Sequence, residues 1–492
     1  MADTLVTRLP KSRTGAPTPD PSYTPTITLS QNEVVTAVGG SAKINYHTTS
    51  GGAVSVSSDN TGIATAVKND DNSITINGIA NGSTNAKVVV APATNFFGAS
   101  APIAITVKKG YRFGIRIKKN ESNPSARVTY LYDAEGMTPA KMNFNNGTFD
   151  YGDWADVWFV KENRPLMLKS DGTVDYYLNP NDYTQKADGS NSDVSNTSYG
   201  GNAMAQFPLC YINRYEDDTY QYEIVSNVAW DGDYKAYAHT RMNGTIAPYF
   251  YWSMFGGSGN ATRIRSLSGQ SLARRLTAEQ EIAGCSANGS LWYTHTWSQR
   301  ELIRTLVCLL GKSTNSQAVF GNGNCQSGAE STMLATGTLA KAGQFYGFSD
   351  NTKQVKVFHV EKFWGDQWDR IAGLVYNEGK VYVKMTREGS GYGGVSGDNV
   401  TLTGYTNTGL SLSGTSGGYI SAASCSQFGV IPTVVSGSAG TYFCDGGWFN
   451  GGGVRYPYVG ASAYNASARG GAFTFNVTNV PSHTAWDYGC GL

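Results

Sequence analysis

Residues 29–108, together with the ITL run that ends at Leu29, are built from short runs in which apolar and polar side chains alternate. The runs are ITL, AKINYHT, AVSVSS, IATAVK, SITINGI, AKVVVAP and PIAITVKK. They are rich in β-branched residues and are separated by clusters of Gly, Asn, Asp and Ser, so they predict strands ended by turns. Turns roughly every 8–12 residues predict an antiparallel β-sandwich. From Gly110 onward the runs become aromatic. YRFGIRI, ARVTYLY, DVWFV, TVDYYL, YQYEIV, YKAYAHT and APYFYWSMF read as strands joined by long connections of Asn, Asp, Gly and Ser. One segment changes period. Over 298–310, Leu302, Ile303, Leu306, Val307 and Leu310 follow at helical spacing. Ser298 and Glu301 have capping-box spacing, and Gly311 supplies a stop. TAEQEIA, 277–283, predicts a second, weaker helix. After Lys312 come the short strands VKVFHVEKFWG, IAGLVYN and KVYVKMT, then Gly/Ser-rich chain to the end. The fold class expected is mainly β with a few helices (α+β).

Residues 1–28 fit neither period. Pro10, Pro17, Pro19, Pro21 and Pro25 exclude a helix or a central strand. The segment reads either as a disordered tail or as an extended arm that orders on a partner. The organisation expected is thus an arm at 1–28, a sandwich at 29–108, and a third region at 109–492, which could include a β-rich subdomain over 109–240.

Charge and composition narrow the function classes. With 38 Lys+Arg against 37 Asp+Glu, the 492-residue chain lacks the basic footprint of a nucleic-acid binder or a polybasic membrane-surface protein. No apolar run approaches the roughly 18 residues of a membrane span. The first residues carry no apolar signal core, so no secretory route is expected. The seven cysteines are scattered without CxxC spacing, which predicts reduced thiols packed as small hydrophobes and no structural zinc. Cys425 with Cys444 remains open as an oxidised pair. Charged residues make up 15% of the chain, whereas 59 Gly, 30 Tyr and 10 Trp favour β structure and adhesive surfaces.

Candidate chemistry is sparse. GSGYGG at 389–394 precedes no helix and lacks GK[ST], so it reads as a turn and not as a phosphate loop. His47, His239, His295, His359 and His483 show no metal spacing. His359 reads as a half-buried strand residue, and His295 lacks an identifiable nucleophile and orienting acid. Glu216, Asp217 and Asp218 read as a solvated turn, and Asp171–Asp175 lacks the remaining calcium-loop ligands. No catalytic residue, metal or cofactor is therefore expected. The segment from Cys444 to Arg469 differs in kind. Tyr and Trp alternate there with Asn, Ser, Gly and Arg, the composition of a paratope, where rigid aromatics give contact area and small polar groups adapt. Gly446, Gly447, Gly451, Gly452, Gly453, Gly460, Gly470 and Gly471 should form tight turns that push the intervening side chains outward. The candidate binding residues are Trp448, Phe449, Asn450, Arg455, Tyr456, Tyr458, Tyr464, Asn465 and Arg469. Phe473, Phe475 and Val477 should anchor this loop as a closing strand.

Two resemblances add to these readings. ITLSQNEVVTAVGGSAKI, SSDNTGIATAV and SITINGIANGSTNAKVVV resemble bacterial Ig-like domains, which implies a spacer or decoration module. The Cys pair and core Trp of true immunoglobulins are absent from this stretch. YLYDAEGMTPA, FDYGDWADVWFV, KSDGTVDYYLNPNDYT, YKAYAHTRMNGTIAPYFY, RIRSLSGQ and WSQRELIRTLVCLLGKSTNSQAVFGNG resemble fibre proteins of phages that infect gut bacteria. The closing GGWF…VR…SAYNASARGGAFTFNV is similar to the last strands of C-type-lectin-like domains, a family that includes formylglycine-generating enzymes and variable phage tropism determinants. The chain departs from these relatives in places. The EPN or QPD and WND motifs of calcium-dependent lectins are missing, and Asn179-Pro180-Asn181-Asp182 does not replace them. Cys444 and Cys490 do not reproduce the cysteine pair of the oxidase.

The resemblance implies a non-enzymatic virion protein, a tail or head fibre that assembles in the host cytoplasm. It would attach to other virion proteins through the N-terminal arm and bind a bacterial surface glycan or protein, as a homotrimer or alternatively a dimer. It would bind no nucleic acid and insert in no membrane. A capsid or tail decoration protein and a surface-glycan-degrading enzyme are the competing expectations.

Overall fold

A computed structural model describes residues 23–389, 391–412, 415–441, 443–465 and 469–492. The expected arm falls outside these except for its last residues. Its end is already part of the sandwich, because Ile27–Leu29 (β1) pairs antiparallel with Ser41–Thr48 (β3). The protein is mainly β with a few helices.

The sandwich continues through Glu33–Ala37 (β2), Val54–Ser58 (β4), Ala64–Lys68 (β5), Ser73–Gly78 (β6), Gly82–Val90 (β7) and Ala99–Lys108 (β8). Two four-stranded sheets form, in the orders β1-β3-β6-β5 and β2-β8-β7-β4. Alternation puts Ile44, Ile74, Ile76, Val88, Val90, Ile103 and Ile105 inward, where they form one continuous core. The strand that alternation alone had not singled out, β2, runs parallel to β8 and so departs from the all-antiparallel expectation.

This compact unit is larger than residues 29–108. It extends to Arg112 and takes in Tyr211–Asn213 and Val225–Lys235. The reason is Trp230. Its carbonyl accepts the Ser41 N–H at 2.6 Å, and the Arg112 guanidinium lies 4.1 Å from its ring centroid. At Gly110 a Cβ would meet the indole at 2.5 Å, so only glycine fits beneath it.

The second unit comprises Phe113–Cys210, Arg214–Ile224 and Ala236–Leu492. A five-stranded sheet runs Asp182–Lys186, Val174–Asn179, Arg164–Lys169, Gly201–Pro208 and Tyr249–Ser253 in spatial order. All eight residues of Gly201–Pro208 are buried, as befits a strand covered on both faces. A six-stranded sheet runs Thr415–Tyr419, Gly446–Asn450, Phe475–Val477, Tyr458–Val459, Trp368–Arg370 and Tyr488–Gly489.

Three aromatic runs differ from the strands expected. DVWFV contributes the helical turn Trp158–Lys161, which buries Phe159 in a cluster with Phe113 and Trp154. YKAYAHT contributes the 3-10 turn Tyr237–His239. Aromatic content marks burial in a packed site as much as it marks a strand, and packing decided here. VKVFHVEKF breaks into Lys356–Val357 and Val360–Glu361, a hairpin whose turn holds Phe358 and His359 at positive φ. His359 is therefore a fully buried turn residue, and not a half-buried strand residue. Its Nδ1 lies 2.7 Å from the Tyr183 hydroxyl.

The long helix is Trp297–Gly311, capped by Lys312 in the left-handed region. The Ser298/Glu301 box does not form; Thr296 is the N-cap and its side chain caps nothing. The expected weaker helix is Ala278–Ser286, and it carries the complete capping box, between Thr277 and Gln280. Glu301 is drawn elsewhere. Its carboxylate accepts from Arg304 Nε at 2.9 Å and from the Val430 N–H at 2.7 Å. Apart from Gln299, every residue of the long helix is buried, so its polar face must be paired internally. Glu223 does this. It accepts from Arg214 Nε at 3.0 Å, from Arg304 Nη1 at 2.9 Å and from the Thr305 hydroxyl. Burial works to raise the Glu223 carboxyl, but Arg304, Arg214 and Thr305 outweigh it and hold it at about 2.

Among the described residues, no helix is long and apolar enough to cross a membrane. No group of three or more His, Cys, Asp and Glu side chains among them is placed to hold a metal ion.

Candidate functional site

Register fixes the two faces of the six-stranded sheet. Trp448 pairs with Asn476, Asn476 with Tyr458, and Tyr458 with Arg370, so these four side chains share one face. Trp368, two residues before Arg370, shares it too and pairs with Tyr488. The opposite face carries Phe449, Phe475 and Val477 and packs toward the long helix, with Trp297 and Phe475 centroids 6.1 Å apart.

The nine expected binding residues therefore separate. Phe449 (3% exposed) is core on the helix side, in edge contact with Phe475. Tyr456 (2%) is core in a different cluster, with Val375 and Ala278. Tyr458 (0%) is core beneath the outer face, stacked on Tyr488 at 4.4 Å with the Arg370 guanidinium 4.8 Å from its ring. These three cannot meet a partner, contrary to the sequence expectation. Asn450 closes a turn by accepting the Gly452 N–H at 3.0 Å, and Arg455 lies half-buried in a strand paired with Tyr376. Neither joins the remaining four.

Of these four, Trp448 and Arg469 meet in one aromatic cluster, and Tyr464 and Asn465 lie on a turn that the chain enters from it. Trp448 meets Trp368 edge-on at 5.7 Å, and the Arg469 guanidinium lies 5.9 Å from the Trp448 ring and 5.4 Å from Tyr419. Ala461, next in the same cluster, leads into a turn where Asn465 Oδ1 accepts the Ser462 N–H at 2.8 Å. The Ser462 hydroxyl lies 2.8 Å from the buried Asp487 carboxylate, which ties the turn to the C-terminal strand. On that turn Tyr464 is 66% exposed and stands edge-on to Trp486 at 6.4 Å.

The glycines act differently from the expectation. Gly446 and Gly447 lie inside a strand. A Cβ there would meet the Trp448 ring at 2.7 Å and Val435 at 2.5 Å, so they thin the strand for close packing and turn nothing. Gly453 and Gly460 do adopt the positive φ of turns. Phe475 and Val477 lie on the strand Phe475–Val477 as alternation predicts, whereas Phe473, also buried, sits in the turn before it.

Sequence reasoning missed Trp486, Tyr488 and Tyr419. WDY close to the chain end was a visible signal. What could not be seen was the parallel pairing that seats Tyr488 beside Trp368.

Elsewhere, Ser253 Oγ and His295 Nε2 lie 2.8 Å apart, the spacing of a nucleophile and its base. Both are buried, Trp252 stacks on the imidazole at 3.5 Å, and among the described residues His295 Nδ1 has no hydrogen-bond partner. Burial, then Lys362 and Arg300, hold this imidazole well below the ordinary histidine range. Among the described residues no acid accepts from this imidazole to orient it. All seven cysteines are free and buried, Cys425 and Cys444 among them. Cys285 and Cys490 approach to 3.8 Å between sulfurs.

No family model matches the chain, and no curated protein matches it. Among solved structures, S-layer protein SbsC domains 4 and 5 are similar at 24% identity over 17% of this chain and 50% of that one, with a TM-score of 0.14. The chain thus spans half the length of that structure. SbsC domains 5–6 are similar at 16% identity over 42% of this chain and 84% of that one, with a TM-score of 0.15. Superpositions this poor carry no argument about fold or function.

Proposed function

We propose that the protein is a non-enzymatic structural component of a phage particle, a tail or head fibre that binds the bacterial host surface with a C-type-lectin-like region. In this reading the part of the expected 1–28 arm that precedes the sandwich attaches the chain to other virion proteins, the Ig-like sandwich acts as a spacer, and the second unit presents the binding face as a homotrimer. The observation that carries the reading is the Tyr464–Trp486 pair. Tyr464 stands exposed on a turn braced by Ser462, Asn465 and Asp487 and lies edge-on to the half-buried Trp486, while Ala461, which leads into that turn, packs in the cluster of Trp368 and Trp448. An exposed aromatic held rigidly loses little entropy on binding and can stack on a sugar ring or peptide without a metal.

The test is adsorption of particles carrying Tyr464→Ala or Trp486→Ala to host cells. Removing a central aromatic anchor costs about 2 kcal/mol, roughly thirtyfold in affinity. The melting temperature should not change, because Tyr464 supports no core. Unchanged adsorption by both variants would overturn the adhesin and leave the decoration protein as the better account.

A further inference from the structure

Two buried sulfurs meet in the core of the second unit. Cys285 lies in the helix Ala278–Ser286, and Cys490 follows the two-residue strand Tyr488–Gly489. They are 205 residues apart in sequence, yet their Sγ atoms are 3.8 Å apart and neither residue has any solvent exposure. Two glycines let the helix and the strand approach this closely. A Cβ on Gly257 would overlap the Cys490 carbonyl and meet Ile264 at 2.8 Å, and one on Gly284 would meet Ile264 at 2.9 Å. The Gly257 N–H donates to the Cys490 carbonyl at 2.9 Å, which fixes the backbone carrying the second thiol. Leu166, Leu168, Met204 and Ile264 pack in the same cluster as the pair.

Sulfurs at this separation are in van der Waals contact. A disulfide holds them at about 2.05 Å, so each moves by less than about 1 Å to form one. Cys425, by contrast, donates to the Tyr222 carbonyl at 3.6 Å. The Cys285 sulfur, then burial, hold the Cys490 thiol well above the ordinary cysteine range, and Glu281 and Asp369 add to this. The closed core therefore holds almost no Cys490 thiolate, the form that reacts. Local opening supplies it. Tyr488–Gly489 is the edge strand of the six-stranded sheet, with Trp368–Arg370 as its one neighbour there. Edge segments open more readily than the strands between them. Lifting this one admits a small oxidant to both thiols, and closing returns the sulfurs to contact.

We infer that Cys285 and Cys490 are a covalent modification site, which dioxygen oxidises to an intramolecular disulfide in the folded chain. Two S–H bonds break and one S–S bond forms. The two protons and two electrons pass to dioxygen, which leaves as hydrogen peroxide. The bond ties the helix Ala278–Ser286 to the strand that seats Tyr488 beside Trp368. With 205 residues of separation, it removes much of the freedom of the unfolded chain. The inference draws nothing from host binding and stands apart from the Tyr464 turn.

The full chain, purified under reductant, would be moved to air-saturated buffer, then denatured in N-ethylmaleimide and measured by intact mass spectrometry. Of the seven cysteines, five should be labelled. A tryptic digest should contain one linked pair of peptides, joining Cys285 to Cys490. The melting temperature should rise by at least about 5 °C and fall back on adding dithiothreitol. Cys285→Ala and Cys490→Ala should each be labelled at all six remaining cysteines and show no rise. Tyr464→Ala, which removes the proposed host-binding aromatic, should oxidise like the parent. Seven labels on the air-exposed parent, a linked pair joining any other two cysteines, or a melting temperature unmoved by the bond would each overturn the assignment.

Discussion

Replacing Glu223 with Gln tests the claim that the long helix is held by a buried ion network. The carboxylate sits between Arg214 and Arg304 with essentially no solvent contact. Its folded-state value of about 2 lies below the ordinary 4.5. A depressed carboxyl stabilises the folded state above its unfolded value, and the contribution drains away as pH falls through the folded one. The difference corresponds to about 3 kcal/mol at pH 7, close to the ~3–5 kcal/mol for breaking a buried pair by removing one partner. At pH 3 the unfolded carboxyl is already protonated, and about 1 kcal/mol should remain. Glu223→Gln should therefore lower the unfolding free energy by about 3 kcal/mol at pH 7 and by about 1 kcal/mol at pH 3. Urea unfolding followed by tryptophan fluorescence reads this, because Trp154, Trp252 and Trp364 are all buried in the second unit. A penalty below about 1 kcal/mol at pH 7, or one that does not shrink on acidification, would refute the network as the helix's anchor.

Tyr456→Ala and Phe449→Ala should each cost about 3–5 kcal/mol in the same assay, because both rings are core; losses below about 1 kcal/mol would place them at the surface after all. Gly447→Ala should destabilise the six-stranded sheet, since its Cβ would meet Val435 at 2.5 Å; a melting temperature equal to the parent's would show that the strand can shift. Deleting residues 1–22 should leave a folded protein that no longer incorporates into particles, which quantitative gels of purified virions would reveal; normal incorporation would remove the arm's role. Sedimentation at micromolar concentration should give a trimer, and a stable monomer would count against the assembly proposed.

The sandwich was legible because its strands are covered on one face, so alternation and β-branching report directly on inside and outside. The long helix was legible in place but not in detail. Ser298 and Glu301 have the spacing of a cap, yet spacing cannot show that Arg304 and the Val430 N–H compete for the same carboxylate. Arg214, Glu223, Arg300 and Arg304 look solvent-facing in any sequence pattern, and nothing local reveals that each finds a partner far along the chain. The C-terminal segment misled for a related reason. Interleaved Gly, Ser and aromatics can be an exposed loop or a thin strand packed on both sides, and Phe449 and Trp448, adjacent in sequence, point to opposite faces of one sheet. Tyr464 was legible because it lies on a turn, beyond the reach of that ambiguity.

Trp230 gives the sandwich an unusual inheritance. Beads-on-a-string modules can be exchanged by recombination at two flanking crossovers, since everything they need is contiguous. Here the piece that caps Ser41 and covers Gly110 is encoded more than a hundred codons downstream. A donor cassette spliced in at residues 29–108 would arrive without a matching indole, and its host would keep an indole shaped for a different surface. Successful exchanges should carry both stretches or neither, so the sandwich and the distant 225–235 segment are expected to share one line of descent.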